Sequence, residues 1–254
     1  MNSIKHCYNR IATQWNERYE NPVMRYRQQQ EEIIISQYIK KGKILDLGCG
    51  TGKTIPFLKK FSHNVIGIDI SKQMLRQAKT HDVKLYCTES TNLPLKDKSI
   101  DTIISLYGPL QHTNNPKVVL TEIKRVLKEN GIIILSLENR KGFLPFMRRL
   151  FKGEYGKIRT LKLYKKKKVN FKKNIGVTLY YYTPKELYQL FKESKLKIIT
   201  IRGVFFLLPP VFGKKEKELS FLQKILITLD KILLYIRPLN KYTTYLYVIA
   251  KHAQ

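Results

Sequence analysis

The sequence Ile44-Leu45-Asp46-Leu47-Gly48-Cys49-Gly50-Thr51-Gly52 decides the fold predicted for this chain. Four residues, apolar except for one carboxylate, come first, and three glycines follow at alternate positions. A short apolar run of this kind is typical of a strand buried on both faces of a parallel sheet. Glycines directly after such a strand let the chain turn into a helix and leave backbone N–H groups open to a ligand. The stretch therefore predicts an α/β domain with a ligand site at the end of its first strand.

Two common glycine-rich loops compete for the same residues, and each fails at one position. The dinucleotide fingerprint requires a glycine where this chain has Lys53. The phosphate-binding P-loop, whose Gly-Lys-Thr ending is present in Gly52–Thr54, requires a glycine where this chain has Leu47. Neither loop is therefore predicted.

A second acidic residue supports a nucleoside site of another kind. Residues 64–69 read as a second strand that ends at Asp69, which is 23 residues after Asp46. A nucleoside-binding βαβ unit places its ribose-binding carboxylate near this spacing. The pattern D-x-G-x-G-x-G together with Asp69 resembles motif I of the class I S-adenosylmethionine-dependent methyltransferases. This resemblance implies transfer of a methyl group to an O, N or C nucleophile by in-line displacement.

The resemblance also implies a set of cofactor-binding residues. Asp46 would orient the glycine loop or meet the methionine ammonium group, and Asp69 would hold the ribose. In residues 89–95, Glu89 and Ser90 take the positions that meet the adenine edge, where Asp and Ala are commoner. The predicted cofactor-binding residues are Trp15, Asp46, Gly48, Cys49, Gly50, Gly52, Asp69, Ile70, Glu89, Ser90 and Leu106.

One histidine is the catalytic candidate. By resemblance, residues 107–112 form the loop between cofactor and acceptor, and His112 matches the family's usual histidine. Histidine suits the task of taking or orienting a proton near neutral pH. The alternative is that His112 is a loop or core residue, as an isolated histidine more often is. No metal site is predicted, because the three cysteines (Cys7, Cys49 and Cys87) are widely spaced without a C-x-x-C pair.

The N-terminal segment is predicted to form a helical cap over the cofactor. Apolar residues recur at helical spacing from Tyr8 to Tyr19, Asn21-Pro22 interrupts them, and a second helix is predicted from Arg27 to Ile39. The pattern Tyr-Asn-x-Ile-Ala-x-x-Trp from Tyr8 to Trp15 resembles the N-terminal cap of many small-molecule methyltransferases, in which an aromatic ring closes over the cofactor. The alternative is an apolar stripe that packs on the core.

The predicted fold is a doubly wound α/β domain with a mostly parallel sheet and a helical cap. The resemblance implies a Rossmann-like methyltransferase fold of seven strands, the last of them antiparallel. We predict a single domain over 1–254, with the cap in 1–42, the cofactor-binding core in 43–139, a basic insert in 140–174 and the remaining strands and helices in 175–254.

The net charge of +29 is the unusual bulk property, and it is uneven. Residues 1–140 contain 22 basic and 13 acidic side chains, whereas residues 141–254 contain 26 and 6. Such a positive electrostatic field attracts anionic partners. The alternative is that the source organism uses lysine at exposed positions in its proteins generally. Cysteine usage and the lack of an apolar signal core near the N-terminus predict a cytoplasmic protein that is at most peripheral to a membrane.

The basic insert leaves three alternatives. We predict that residues 141–168 form an interfacial element on an anionic membrane, because its phenylalanines lie at helical spacing beside arginines and lysines. The rings can instead pack on the sheet while the lysines face water, or the charges can bind RNA.

The predicted acceptor is a small or lipid-like molecule. Two alternatives are a tRNA wobble-uridine-type methyltransferase, whose paired histidines are replaced here by Gln111-His112, and a non-catalytic cofactor-binding protein.

Overall fold

The computed structural model describes residues 2–143, 166–172, 175–208, 218–234, 236 and 239–253 of the chain. The strands within these residues are β1 (Ile44–Leu47), β2 (Val65–Asp69), β3 (Lys84–Cys87), β4 (Ile100–Leu106), β5 (Leu127–Glu138), β6 (Lys166–Lys172), β7 (Ile175–Tyr180), β8 (Leu196–Val204) and β9 (Tyr245–His252). The helices are α1 (Asn2–Ile11), α2 (Pro22–Tyr38), α3 (Ile55–Leu58), α4 (Lys72–Ala78), α5 (Pro116–Val126), α6 (Pro184–Glu193) and α7 (Phe221–Leu233).

Seven strands form one sheet in the order β3-β2-β1-β4-β5-β9-β8. Strand β1 pairs in parallel with β2 on one side and with β4 on the other. Strand β9 lies antiparallel between β5 and β8. The doubly wound, mostly parallel fold is confirmed, and so is the antiparallel last strand. The strand order reverses between β1 and β4, so the carboxyl ends of these strands border the crevice where ligands of such sheets bind.

Strand β1 is covered on both faces, as its composition predicted. Ile44 packs into one hydrophobic cluster and Leu45 and Leu47 into another, because successive side chains of a strand point to opposite faces. The carboxylate of Asp46 at the end of this strand is therefore only 3% exposed.

The cap differs from its prediction at two points. After α1, the chain continues in two 3-10 turns, Ala12–Gln14 and Asn16–Tyr19, so no single helix reaches Tyr19. Helix α2 begins at Pro22 rather than at Arg27, because the Asn21 side chain accepts a hydrogen bond from the Met24 N–H at 3.0 Å. Asparagine before a proline is a helix start, since the side chain caps and proline fits the first turn. The prediction that Asn21-Pro22 only interrupts a helix was wrong.

Part of the basic insert forms strand β6, whose partner strand β7 packs on the cap. Strand β6 pairs antiparallel with β7. Ile175 and Val177 of β7 share a cluster with Cys7 and Ile11 of α1, while residues 166–168 of the lysine run are exposed. Residues 144–165, which carry most of the predicted interfacial element, lie outside the described residues. Phe143, at its start, stacks on Phe206 with ring centroids 4.8 Å apart.

Candidate cofactor and acceptor site

One large pocket lies at the carboxyl ends of β1, β2 and β4, beneath the N-terminal cap. Of the predicted site residues, Gly52 does not line this pocket. The pocket is lined by the others, namely Trp15, Asp46, Gly48, Cys49, Gly50, Asp69, Ile70, Glu89, Ser90, Leu106 and His112. The fold therefore brings together residues that are spread over nearly 100 positions of the sequence.

Gly50 and Gly52 have different roles in the glycine loop. Gly50 has a φ of +55°, and a Cβ there would meet only the Trp15 indole nitrogen, at 4.0 Å, so open space lies between this backbone and the cap. Gly52 has a φ of +79°, and a Cβ there would press on His81, Ile55 and Ala78 at 2.6–3.1 Å. Gly50 is thus the position where a ligand can approach the backbone. Gly52 lets the helical turns pack closely.

Asp69 holds the glycine loop in addition to facing the pocket. One of its carboxylate oxygens accepts the Gly50 N–H at 2.9 Å, and the other accepts the Ser71 N–H at 2.8 Å. Burial raises the pKa of Asp69, and these N–H donors oppose the rise. Because a carboxylate oxygen accepts more than one hydrogen bond, both oxygens keep capacity for a ligand hydroxyl.

Asp46 carries a buried carboxylate oxygen, Oδ2, that has no hydrogen-bond partner. Burial raises the pKa of Asp46 to about 7, and the neighbouring charge of Asp69 contributes to the rise. A buried acceptor of this kind is costly unless a ligand supplies a donor. The ammonium group of S-adenosylmethionine is such a donor. The unpaired oxygen and the open space at Gly50 therefore fit this cofactor.

Aromatic rings form the inner surface of the cap. Trp15 makes edge contacts with Tyr8, Tyr19 and Phe171, at centroid distances of 5.5, 5.5 and 5.7 Å. A hydrogen bond of 2.6 Å from the Thr51 hydroxyl to Asn16 ties this segment to the glycine loop. Electron-rich rings that enclose a pocket favour a cation such as a sulfonium.

His112 is hydrogen-bonded to the cap. Its Nε2 lies 2.9 Å from the hydroxyl oxygen of Tyr8, which is 104 residues away in the sequence. Burial lowers the pKa of His112 to about 4, although a contact with the Tyr107 backbone opposes this shift, so the imidazole is neutral at physiological pH. Burial also raises the pKa of Tyr8 well above its usual value, so the phenol keeps its proton.

An ionic cluster at the other end of the pocket was missed by the sequence reasoning. The Arg27 Nε lies 3.1 Å from the Glu31 carboxylate, which also accepts hydrogen bonds from Tyr107 at 2.8 Å and Tyr247 at 2.6 Å. Burial opposes the charge of Arg27, but its interactions with Tyr107, Glu31, Tyr245 and Tyr247 together outweigh burial and raise its pKa. The charged pair Arg27 and Glu31, at i and i+4 of one helix, was a usable signal, whereas its tyrosine partners were not visible in the sequence.

The guanidinium of Arg27 and the ammonium of Lys53 both lie against aromatic rings. Arg27 lies 4.5 Å from the centroid of the Tyr107 ring, and the Lys53 nitrogen lies 4.9 Å from that of Tyr19. Both residues line the pocket, so they offer positive charge to the carboxylate of a bound cofactor or to an anionic acceptor. In the described part of the chain, no group of three or more His, Cys, Asp or Glu side chains is arranged to hold a metal ion.

Comparison with known proteins agrees with this geometry. Residues 45–135 match the family model of a methyltransferase domain. The uncharacterised protein MJ1252 of Methanocaldococcus jannaschii is 33% identical over 207 residues, which cover 79% of this chain and 78% of that protein. Demethylmenaquinone methyltransferase of Thermotoga maritima is 27% identical over 207 residues, which cover 74% of this chain and 83% of the relative. A solved structure of a SAM-dependent methyltransferase from Thermotoga maritima shares the fold, with a TM-score of 0.65, 19% identity and coverage of 98% of this chain and 99% of that one.

Proposed function

Because the chain belongs to the class I S-adenosylmethionine-dependent methyltransferases, we propose that it methylates a small or lipid-like acceptor. The observation that carries this proposal is the concave pocket beneath the cap, whose aromatic residues Trp15, Tyr8 and Tyr19 line it beside the glycine loop. A small molecule fits such an apolar, aromatic pocket whole, whereas an RNA would have to insert a single flipped-out base. The name of the Thermotoga maritima relative, demethylmenaquinone methyltransferase, supports a lipid-like acceptor.

The cofactor S-adenosylmethionine supplies a methyl group on a sulfonium, and the protein must align the nucleophile with it. We assign the ammonium group to Asp46, whose Oδ2 is otherwise unpaired, and the ribose hydroxyls to Asp69. Glu89 and Ser90 line the pocket on the side of β3 and are assigned to the adenine edge. The methionine carboxylate is assigned to the cations Arg27 and Lys53.

An O–H or N–H acceptor loses one proton in the reaction, and the proposal gives this proton to His112. The imidazole is neutral at physiological pH, so it has a lone pair for the proton; with a pKa of about 4 it is a weak base that holds this proton only briefly. Because the Tyr8 hydroxyl occupies the Nε2 atom, the acceptor proton passes to the Tyr8 oxygen while the proton of Tyr8 moves to Nε2. This transfer leaves Tyr8 neutral and His112 protonated.

The proposal is tested with methyl-labelled S-adenosylmethionine and a cell extract separated into lipid, RNA and soluble small-molecule fractions. We expect label in the lipid or small-molecule fraction with the wild-type protein and none with Gly50→Val, whose side chain would enter the ligand space. Label in RNA would support the tRNA methyltransferase alternative. If binding of S-adenosylmethionine is detected but no fraction is labelled, the protein is a cofactor-binding protein without this activity.

A further inference from the structure

Helix α7 presents its apolar side to solvent. Five of its side chains, which we call the outer stripe, are exposed by 79% (Phe221), 63% (Leu222), 41% (Ile225), 43% (Leu229) and 58% (Ile232). At 100° per residue, these positions fall within an arc of about 100° of the helix surface. Large apolar side chains exposed together, rather than singly, mark a surface that binds a partner.

The opposite side of α7 attaches the helix to the rest of the protein, and the outer stripe takes no part in this attachment. Ile227 is buried, and the carboxylate of Asp230 accepts the N–H groups of Phe206 and Leu207, each at 2.7 Å. A capping box between Ser220 and Gln223 closes the first turn. Because these contacts hold the helix, substitutions in the outer stripe are expected to leave the fold intact.

The exposed charges of α7 are positive. Lys224 and Lys231 lie beside the outer stripe, and the acidic residue of the helix, Asp230, is buried. Residues 141–254 as a whole contain 26 basic and 6 acidic side chains. We infer that α7 docks on an anionic membrane surface, with the outer stripe among the lipid headgroups and the lysines at the acidic phosphates. An apolar face flanked by lysines is the composition of a helix that lies in a bilayer interface.

Other occupants fit these observations less well. Two copies of a chain with a net charge of +29 repel each other, and a helix of 13 residues, about 20 Å long, offers much less than the roughly 800 Å² per partner of a typical dimer. RNA would be attracted by the lysines but would leave five apolar side chains in water. Among the described residues, no helix combines the length and apolarity needed to cross a bilayer.

The docking surface lies one helix away from the pocket. The Lys231 ammonium is 5.9 Å from the centroid of the Tyr26 ring of α2, and the next residue of α2, Arg27, lines the pocket. A protein held through α7 would thus keep its pocket near the bilayer, as a lipid-like acceptor requires. The inference extends the proposed function in this respect, but membrane docking itself is measured without methyl transfer.

The test is flotation of the full chain with two kinds of vesicle, phosphatidylcholine alone and phosphatidylcholine with phosphatidylglycerol. We expect binding to the anionic vesicles only, and weaker binding at high salt because surface charges are screened. The triple variant Leu222→Ser, Ile225→Ser, Ile232→Ser should lower partitioning by about tenfold or more, because three apolar side chains no longer leave water. The double variant Lys224→Gln, Lys231→Gln should weaken the preference for anionic vesicles.

The matched control replaces three equally exposed apolar side chains elsewhere, Ile33, Tyr188 and Ile199, which are 50%, 51% and 45% exposed. This control should float like the wild type, and thermal unfolding should be similar for all variants. The inference is overturned if the wild type floats with neither vesicle, if the outer-stripe variant floats as well as the control, or if stripe-dependent self-association or RNA binding is found instead. Calorimetric binding of S-adenosylhomocysteine by the outer-stripe variant, expected to equal that of the wild type, keeps a failure of docking distinct from a failure of the proposed function.

Discussion

The unpaired carboxylate oxygen Oδ2 of Asp46 leads to a quantitative prediction about cofactor binding. Burial raises the pKa of Asp46 to about 7, and the ammonium group of the cofactor requires the ionised form. If only that form binds, the apparent Kd grows by the factor 1 + 10^(pKa − pH). This factor is about 33 at pH 5.5 and about 1.3 at pH 7.5, so affinity should fall about 25-fold between them.

The variant Asp46→Asn separates this residue from the other titrating groups. At pH 7.5 it should bind about tenfold to 150-fold more weakly, because a hydrogen bond to a charged group contributes about 1.5–3 kcal/mol. Its affinity should also lose most of the dependence on pH. Any remaining slope belongs to Asp69, whose pKa burial also raises.

The pH dependence of the free energy of unfolding gives an independent check. Ionisation of Asp46 strengthens cofactor binding but destabilises the fold. The folded state binds the Asp46 proton more tightly than the unfolded chain, so this residue lowers the free energy of unfolding as the pH rises from 3.8 to about 7. The asparagine variant does not ionise and should be at least as stable as the wild type at pH 7.5. Weaker ligand binding together with undiminished stability is the signature of a binding residue.

The assay is isothermal titration calorimetry with S-adenosylhomocysteine, which keeps the ammonium and carboxylate groups, at pH values from 5.5 to 7.5. The amino group of the ligand stays largely charged in this range. The control is Asp97→Asn, which removes an exposed carboxylate that pairs with Arg125 and should not change affinity. The reasoning is refuted if wild-type affinity is independent of pH, or if Asp46→Asn binds like the wild type.

Three further predictions concern the loop and the proton acceptor. Asp69→Ala should bind S-adenosylhomocysteine about tenfold to over a hundredfold more weakly by calorimetry, since its carboxylate is lost to both the ribose and the Gly50 N–H; unchanged affinity would contradict the ribose assignment. Gly50→Val should keep the overall fold, as judged by circular dichroism, yet show no methyl transfer, because a branched side chain strains the loop at its φ of +55° and enters the ligand space; normal binding would show that the loop does not hold the cofactor. His112→Gln and Tyr8→Phe should each lower kcat by about 10²- to 10⁴-fold in steady-state assays without weakening cofactor binding, and the double variant should be no worse than the singles. With His112 as the acceptor, the wild-type kcat at saturating cofactor should fall with acidification only near pH 4, whereas the KM for S-adenosylmethionine should already rise below about pH 7 as Asp46 takes up its proton. Two independent effects in the double variant would argue against a shared proton path.

Much of the fold was determined by local pattern. The run from Ile44 to Leu47 is apolar enough to predict a strand buried on both faces, and the glycines after it predict a turn into a helix with open backbone. The spacing of Asp46 and Asp69 predicted the two carboxylates that the structure places at neighbouring strand ends. These inferences succeed because backbone geometry fixes the side-chain period of strands and helices. It also places the carboxyl ends of neighbouring parallel strands at the same edge of the sheet.

The tertiary structure alone decided which distant residues meet. Tyr8 reaches His112 across 104 residues, and Glu31 accepts a hydrogen bond from Tyr247 across 216, because the two cap helices pack on the loop after β4 and on the last strand. The single-domain organisation, the cytoplasmic location and the interfacial role of residues 141–168 stay predictions.

Helix α7 shows most directly which features the sequence determines and which only the tertiary structure decides. The apolar residues from Phe221 to Leu233 recur at helical spacing, and the structure forms a helix over these residues. Periodicity reveals that a helix has an apolar side, but it does not reveal what covers that side. Which side faces the protein depends on contacts with residues far away in the sequence. Here the carboxylate of Asp230 binds the backbone after β8, and the apolar stripe is left facing outward.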